Sequence, residues 1–129
     1  MTVYVIYLTA SGLILRWGVC NSADYAIQFI TTGESITQFA FGTQVDISSQ
    51  YISAGTLTTR PSMPITVTGG TISGLPNPSL VSYIPNSGGI LPGEITVTDG
   101  TLTISAPTGS YEINVTSGIY QDYSTDISI

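Results

Sequence analysis

Carboxylates are the side chains of this sequence whose type and spacing come nearest to a catalytic site. Asp122 and Asp126 lie four residues apart, and Glu94 and Asp99 flank one predicted strand. Paired carboxylates of this kind carry out glycoside hydrolysis. None of the four lies in a motif that forms a cleft, and Asp99 is accounted for by the turn that it occupies. The carboxylates therefore predict no catalytic site.

Other residue types that carry chemistry are scarce. The 129 residues include no His and no Lys, a single Cys (Cys20) and two cations, Arg16 and Arg60. A Ser-His-Asp triad, a lysine Schiff base and a His/Cys metal centre all lack their parts, and no calcium-loop motif occurs. We expect a protein that is not an enzyme and that holds no metal and no cofactor.

The charge balance bears on the partners. Charged residues make up 8% of the chain, with a net charge of −6, against about 25% charged residues in an ordinary soluble domain. Nucleic acids and anionic membranes both require many cations, so neither is an expected partner. A weakly charged, Thr-rich surface is common where a subunit is permanently embedded in an assembly. We expect a homo-oligomer, with three copies as the first expectation.

The first half of the chain predicts a small unit built on a hairpin. Residues 3–8 are β-branched or aromatic throughout, so both faces of this strand should be covered, and residues 13–19 return as its partner. One short helix is predicted near residues 22–31, followed by short strands at 35–41 and 45–52. No basic region of a secretory signal precedes the hairpin, so we expect synthesis in a cytoplasm.

The segment Arg60-Pro61-Ser62-Met63-Pro64 predicts a domain boundary. Its two prolines fix φ and remove backbone donors, so the segment is neither helical nor suited to a central strand. We therefore expect an N-terminal docking unit over residues 1–60, a Pro-rich linker over 61–64 and a second domain over 65–129.

The second half predicts a β-sandwich. Its residues alternate between apolar and hydroxyl side chains in about seven short strands. The alternation is strictest over residues 95–104, where Asp99-Gly100 is typical of a type I′ hairpin. Tyr111, Ile113 and Val115 should face inward on a later strand. The chain as a whole is predicted to be mainly β, with an immunoglobulin-like second domain.

Candidate contact residues come from the cations and the aromatic side chains. A guanidinium suits a buried or interfacial ion pair, and Tyr and Trp are typical of protein and carbohydrate contact surfaces. The candidate ligand contacts are Tyr120 and Tyr123. The predicted interface residues are Val3, Val5, Tyr7, Arg16, Trp17, Arg60 and Met63.

Short motifs in several parts of the chain resemble those of small tailed-phage proteins of the tail-fibre region. The motifs are Tyr4-Val5-Ile6-Tyr7, Ser11-Gly12-Leu13-Ile14-Leu15-Arg16-Trp17-Gly18 with Cys20, Tyr51-Ile52, Gly55-Thr56-Leu57, Arg60-Pro61-Ser62-Met63-Pro64 and Gly109-Ser110-Tyr111-Glu112-Ile113-Asn114-Val115. The resemblance implies an immunoglobulin-like or transthyretin-like C-terminal part, a place in the virion and no catalytic residues.

These observations together predict a structural virion protein of a tailed bacteriophage, made in the host cytoplasm. It would be a small adaptor of the tail or baseplate, or a fibre subunit, and its partners would be other virion proteins. Two alternatives remain open. One is a capsid-decorating (cement) protein, and the other is the carbohydrate-binding tip of a receptor-binding fibre, whose ligand would be a host-surface glycan.

Overall fold

The computed structural model describes residues 1–28, 30–88 and 94–129, and the chain is mainly β. It divides into two compact units, Met1–Arg60 and Pro61–Ile129. The division falls at the Arg60-Pro61 bond. Each unit is described by itself below.

The first unit is a three-stranded antiparallel sheet with a separate two-stranded hairpin. The sheet has the order β2-β1-β3, and β4 pairs with β5. The strands are β1 (Thr2–Leu8), β2 (Ile14–Cys20), β3 (Glu34–Ala40), β4 (Gln50–Ser53) and β5 (Thr56–Thr59).

The central strand β1 is buried on both faces, as the run of apolar residues predicted. Val3, Val5 and Ile6 are 2%, 0% and 1% exposed. Because successive side chains of a strand point to opposite faces, Val5 and Ile6 represent the two sides. Val5 forms a core cluster with Ile14 of β2 and Ile52 of β4, so the β4–β5 hairpin covers one face of the sheet.

Gly12, at the end of the β1–β2 turn, connects this turn to the β4–β5 hairpin through hydrogen bonds. Its N–H donates to the Leu8 carbonyl, and its own carbonyl accepts from the Ile52 N–H, both at 2.8 Å. Its φ is +83°, and a Cβ added here would lie 1.9 Å from the Ile52 carbonyl oxygen. Only glycine satisfies both the backbone conformation and the close approach.

The predicted helix near residues 22–31 is wrong in extent. In this stretch the described residues form a 3₁₀ turn, Tyr25–Ile27, after which Gln28 is extended. Asp24 makes no side-chain capping bond and instead accepts from the Asn21 amide, so the turn lacks a cap that would help it to extend. Residue 29 of the prediction lies outside the described residues.

The predicted strand over residues 45–52 is also shorter than expected. Asp46 closes a turn, because its Oδ1 accepts from the Ser48 N–H at 3.0 Å and from the Ser48 hydroxyl at 2.6 Å. The Gln50 N–H donates to the Asp46 carbonyl. The local bonds of an aspartate compete here with the sheet, and β4 begins only at Gln50.

The second unit is β-sandwich-like. One antiparallel sheet has the order β10-β7-β6 and the other has the order β12-β11-β8-β9. Ile72 of the first sheet and Val81, Ile113 and Val115 of the second are all 0% exposed and belong to one core cluster. The strands are β6 (Thr66–Thr68), β7 (Thr71–Ser73), β8 (Ser79–Pro85), β9 (Ile95–Val97), β10 (Thr101–Thr103), β11 (Ser110–Thr116) and β12 (Tyr123–Ser128).

Residues 95–104 do not form the predicted hairpin. A turn does lie at Asp99-Gly100, where Gly100 has φ +83° and the Asp99 carboxylate accepts from the Thr101 N–H. However, β9 pairs with β8, and β10 pairs with β7 in the other sheet. The turn therefore carries the chain from one sheet to the other. Alternating residues fit a crossing between sheets as well as a hairpin, because in both cases each strand buries one face.

The Pro-rich segment 61–64 belongs to the second unit and is not a free linker. Met63 is 8% exposed and lies in the core cluster of this unit. The Pro61 carbonyl accepts from the Gln121 N–H at 2.9 Å. The segment holds no strand, as its prolines require, but a buried side chain and a backbone hydrogen bond fix it in place.

Within the described parts of the chain, no helix is both long enough and apolar enough to cross a membrane.

Candidate interaction surface

Strand β2 lies at an edge of the first unit's sheet and exposes large apolar side chains. Leu15, Trp17 and Val19 are 38%, 43% and 43% exposed. They occupy every second position of the strand, separated by Arg16 and Gly18. An apolar edge strand is unusual because such edges are open to pairing with other chains.

The register shows which face of the sheet Trp17 and Val19 occupy. Trp17 lies opposite Val5 and Val19 lies opposite Val3, and directly opposed residues of an antiparallel pair share one face. This is the face on which Val5 packs against Ile52 of the hairpin. Trp17 and Val19 thus form the exposed margin of a face whose centre is buried.

Gly18 makes room for an aromatic ring across the sheet. It lies opposite Tyr4, and a Cβ added at Gly18 would be 2.6 Å from the Tyr4 hydroxyl oxygen. The Tyr4 ring therefore lies directly over the Gly18 backbone. A glycine in the middle of an edge strand weakens the strand. Here the Tyr4 ring covers it.

Exposed large apolar residues are concentrated in the first unit. Among the described residues, Leu80 is the one such residue that belongs to the second unit. Single exposed apolar side chains are normal, whereas a contiguous patch of them marks an interaction surface. The register places Trp17 and Val19 together on one face of the sheet. The exposed large apolar residues of the first unit are Met1, Leu15, Trp17, Val19, Ile27, Ile30, Phe41 and Ile47.

Each unit has five charged residues, but the net charge lies almost entirely in the second unit. The first unit has both arginines and three carboxylates, which gives it a net charge of −1. The second unit has no cation and five carboxylates, Glu94, Asp99, Glu112, Asp122 and Asp126, which gives it −5 of the total of −6. The first unit is therefore nearly neutral and apolar, and the second is acidic.

Arg16 forms an ion pair within the first unit. Its Nη2 donates to Glu34 Oε1 on β3 at 2.8 Å, and Glu34 Oε2 accepts from the Thr31 hydroxyl at 2.8 Å. The hydrogen bond from Arg16, reinforced by that from Thr31, lowers the pKa of Glu34 below its ordinary value. This ion pair lines a shallow cleft of about 350 Å³ together with Tyr4, Ile6 and Gln28.

Four of the predicted interface residues are buried inside their own unit. Val3 and Val5 lie in the sheet of the first unit, and Met63 lies in the core of the second. Arg60 is 9% exposed, and its guanidinium donates to the carbonyls of Ile47 and Ser48. These four side chains stabilise the units and present little surface to a partner, which corrects the prediction for them.

The other candidates fall into two groups. Arg16 and Trp17 lie on the exposed edge strand β2, whereas Tyr7 is half-buried against the Val5 cluster. Tyr120 and Tyr123 are half-buried against the core of the second unit. Tyr123 also lines a shallow cleft of about 290 Å³ with Met63 and Asp122. Their packing leaves these two tyrosines only partly available for contact with a ligand.

The carboxylates meet in a pairing that the sequence did not indicate. Asp126 of β12 lies directly opposite Glu112 of β11, and Asn114 donates to Glu112 Oε1 at 3.1 Å. Both acids are exposed. Across the described residues, no group of three or more His, Cys, Asp or Glu side chains is placed to hold a metal ion.

Leu15 and Val19 are the members of the exposed edge that sequence reasoning missed. The alternation of apolar residues over Leu15, Trp17 and Val19 is visible in the sequence. By itself it indicates only that one face of a hairpin strand is covered. The missing information was the strand order, which places β2 at an edge.

Comparison of the chain with protein-family models, with curated proteins and with solved structures finds no match.

Proposed function

We propose that this chain is a structural protein of a tailed-bacteriophage virion, a small adaptor of the tail or baseplate or a fibre subunit. Its first unit docks on other virion proteins through the apolar surface that includes β2. The second, acidic unit extends from the docking site or contacts a further protein. The chain is made in the host cytoplasm and performs no catalysis.

The observation that carries this proposal is the unequal division of exposed apolar residues and net charge between the two units. A freely diffusing domain of about 60 residues gains solubility from charge and avoids apolar edges. The first unit does neither, since it is nearly neutral and exposes Leu15, Trp17 and Val19 along an edge strand. Burial of this surface in an assembly explains both the low net charge and the apolar edge strand of the first unit.

The resemblance of the Tyr4–Cys20 and Arg60–Pro64 motifs to small proteins of the phage tail-fibre region supports the choice of assembly. A cement protein of the capsid is a second assembly that the same surface would fit. A carbohydrate-binding tip is supported less, because Tyr120 and Tyr123 are packed against the core of the second unit.

Purified phage particles provide the test. Particles banded in a density gradient should contain the chain, and a gold-labelled antibody against the second unit should bind at the tail. Label spread over the capsid would replace the tail assignment by the cement protein. A chain that stays in the soluble fraction while the particles band would overturn the virion assignment altogether.

A further inference from the structure

The outer edge of β2 has the properties of a strand that pairs with another strand. Edge strands are usually blocked by Lys, by Pro, by inward-pointing charges or by bulges that twist the edge away. β2 has a bulge near its start, at Leu15, where its register with β1 shifts, and residues 16–20 pair regularly with β1. β2 contains neither Lys nor Pro, and its one charged residue, Arg16, is held by Glu34 of the same unit. The opposite edge strand β3 is more polar, with Glu34, Ser35, Thr37 and Gln38. The apolar residues favour β2 as the edge that associates.

We infer that two copies of this chain pair through β2, antiparallel and about a twofold axis at Trp17. The pairing joins the two three-stranded sheets into one of six strands, in the order β3-β1-β2-β2-β1-β3. The first partner of the β2 surface is thus a second copy of the chain. That this dimer belongs to a virion rests on the proposed function.

The length of β2 determines the register. The strand runs over the seven residues Ile14–Cys20, and Trp17 is its midpoint. With Trp17 opposite Trp17 of the second copy, the two strands overlap over their whole length. Residues 16–18 form the regular centre of the pairing, and the bulged residue Leu15 lies opposite Val19. Any other antiparallel register leaves residues of β2 unpaired at the ends.

The side chains favour the same register. It places Arg16 opposite Gly18 of the second copy and Leu15 opposite Val19, so apolar residues meet and the two guanidiniums are not opposed. A register centred on Arg16 would place like charges directly opposite, which destabilises a sheet. The surface is thus complementary to itself, as a twofold interface requires.

The oligomeric state of the full chain tests the inference. Sedimentation equilibrium at tens of micromolar should give twice the chain mass of 13.5 kDa. Val19→Lys should give a monomer, because a desolvated ammonium beside Leu15 and Trp17 is unfavourable. Leu80→Lys is the matched control, since Leu80 is 42% exposed but belongs to the second unit, and it should remain dimeric.

A disulfide cross-link tests the register and does not depend on the Val19 variant. Directly opposed Cα atoms of an antiparallel pair lie about 4.5–5.5 Å apart, within disulfide range. Trp17→Cys combined with Cys20→Ser should therefore form covalent dimers with a mild thiol oxidant. In the same register the two native Cys20 residues lie about 20 Å apart, so the unmodified chain should form none.

A monomeric wild-type chain, a dimer that survives Val19→Lys, or a Trp17→Cys variant that does not cross-link would each overturn the inference. These results are distinguishable from a failure of the proposed function. A chain that bands with particles but sediments as a monomer contradicts the dimer alone. A dimer that is absent from particles contradicts the virion assignment alone.

Discussion

At the scale of single residues, Gly12 is the position where the first unit tolerates change least. A side chain there must adopt φ +83° and must also push away the Ile52 carbonyl, which lies 1.9 Å from the added Cβ. Gly42 has φ +92° but no atom within 4 Å of an added Cβ. The two positions therefore separate the cost of the backbone conformation from the cost of the clash.

We expect Gly12→Ala to destabilise the first unit by at least about 2 kcal/mol more than Gly42→Ala, which should cost about 1–2 kcal/mol for its left-handed conformation. The chain has one Trp, Trp17, and it lies in the first unit. Urea titration followed by Trp fluorescence therefore measures this unit directly. Equal effects of the two variants would show that the Gly12–Ile52 contact relaxes freely.

Tyr111 holds the start of β11 through its hydroxyl group. This group donates to the Pro107 carbonyl at 2.6 Å, while the ring packs edge-on against Tyr83, with centroids 5.9 Å apart. Similar bonds from a tyrosine to the chain a few residues upstream occur in immunoglobulin-like sandwiches. The bond ties the loop before β11 to the sandwich.

Tyr111→Phe should therefore destabilise the second unit by about 0.5–1.5 kcal/mol, the ordinary net value of one hydrogen bond. Tyr83→Phe keeps the ring contact and should cost less. Hydrogen exchange of the Ile113 and Val115 amides provides the measurement, since both residues lie in the core of this unit. An unchanged exchange rate in Tyr111→Phe would contradict the role given to the hydroxyl.

The Arg16–Glu34 pair makes the stability of the first unit depend on pH. The hydrogen bond from Arg16 lowers the pKa of Glu34 from its ordinary 4.5, so the folded state binds its proton more weakly than the unfolded state does. The pair therefore stabilises the unit fully above the unfolded pKa, and this stabilisation is lost as the pH falls through the lowered folded pKa.

Glu34→Gln should lower the urea midpoint of Trp17 fluorescence at neutral pH. The difference from the wild-type chain should shrink below about pH 4.5 and vanish in stronger acid. Glu112→Gln, in the second unit, is the control and should leave this midpoint unchanged throughout. A difference that persists in strong acid would assign the effect to packing of the Glu34 side chain.

At the scale of elements, the stiff Pro-rich segment 61–64 is held by the buried Met63 side chain together with the Gln121–Pro61 backbone hydrogen bond. Met63 is 8% exposed in the core of the second unit, between two exposed neighbours, Ser62 and Pro64. Met63→Ala should destabilise this unit by about 2–5 kcal/mol, measured by hydrogen exchange of the Ile113 amide. Ser62→Ala should have little effect, and equal losses in both would contradict the anchoring role.

The elements that the sequence predicted well are those set by local apolar patterns and turn residues. The β1–β2 hairpin follows from an apolar run, a turn and a returning strand, and the inward positions Tyr111, Ile113 and Val115 follow from alternation. The type of fold follows as well, because many short alternating strands can bury their apolar faces only by packing against one another.

The errors arise where long-range pairing overrides a local pattern. Asp99-Gly100 forms the expected turn, yet β9 and β10 pair with strands distant in sequence. The interface prediction for Val3 and Val5 assumes that the first half offers little to cover them, and the β4–β5 hairpin does cover Val5. The edge position of β2 is likewise invisible to periodicity, because it depends on which strand pairs with β1 on its other side.

At the scale of the whole molecule, the two units differ in how complete their cores are. Among the described residues, the core cluster of the second unit has ten buried members, and that of the first has three. Residues 61–129 expressed alone should therefore fold and unfold cooperatively in denaturant, with dispersed amide signals by NMR. Residues 1–60 alone should be less stable, since small units have little core of their own. The opposite ranking would contradict this account of the cores.

The placement of the two arginines has a consequence for digestion by trypsin, which cuts after Lys and Arg but poorly before Pro. The chain has no Lys, and Arg60 is buried and followed by Pro61. The remaining site is the Arg16–Trp17 bond, in the middle of β2 and paired with β1. Proteases cut exposed loops and opened segments rather than strands held in a sheet. The rate of tryptic cleavage therefore reports how often β2 leaves its sheet, and a partner bound on its outer edge would slow that single cut.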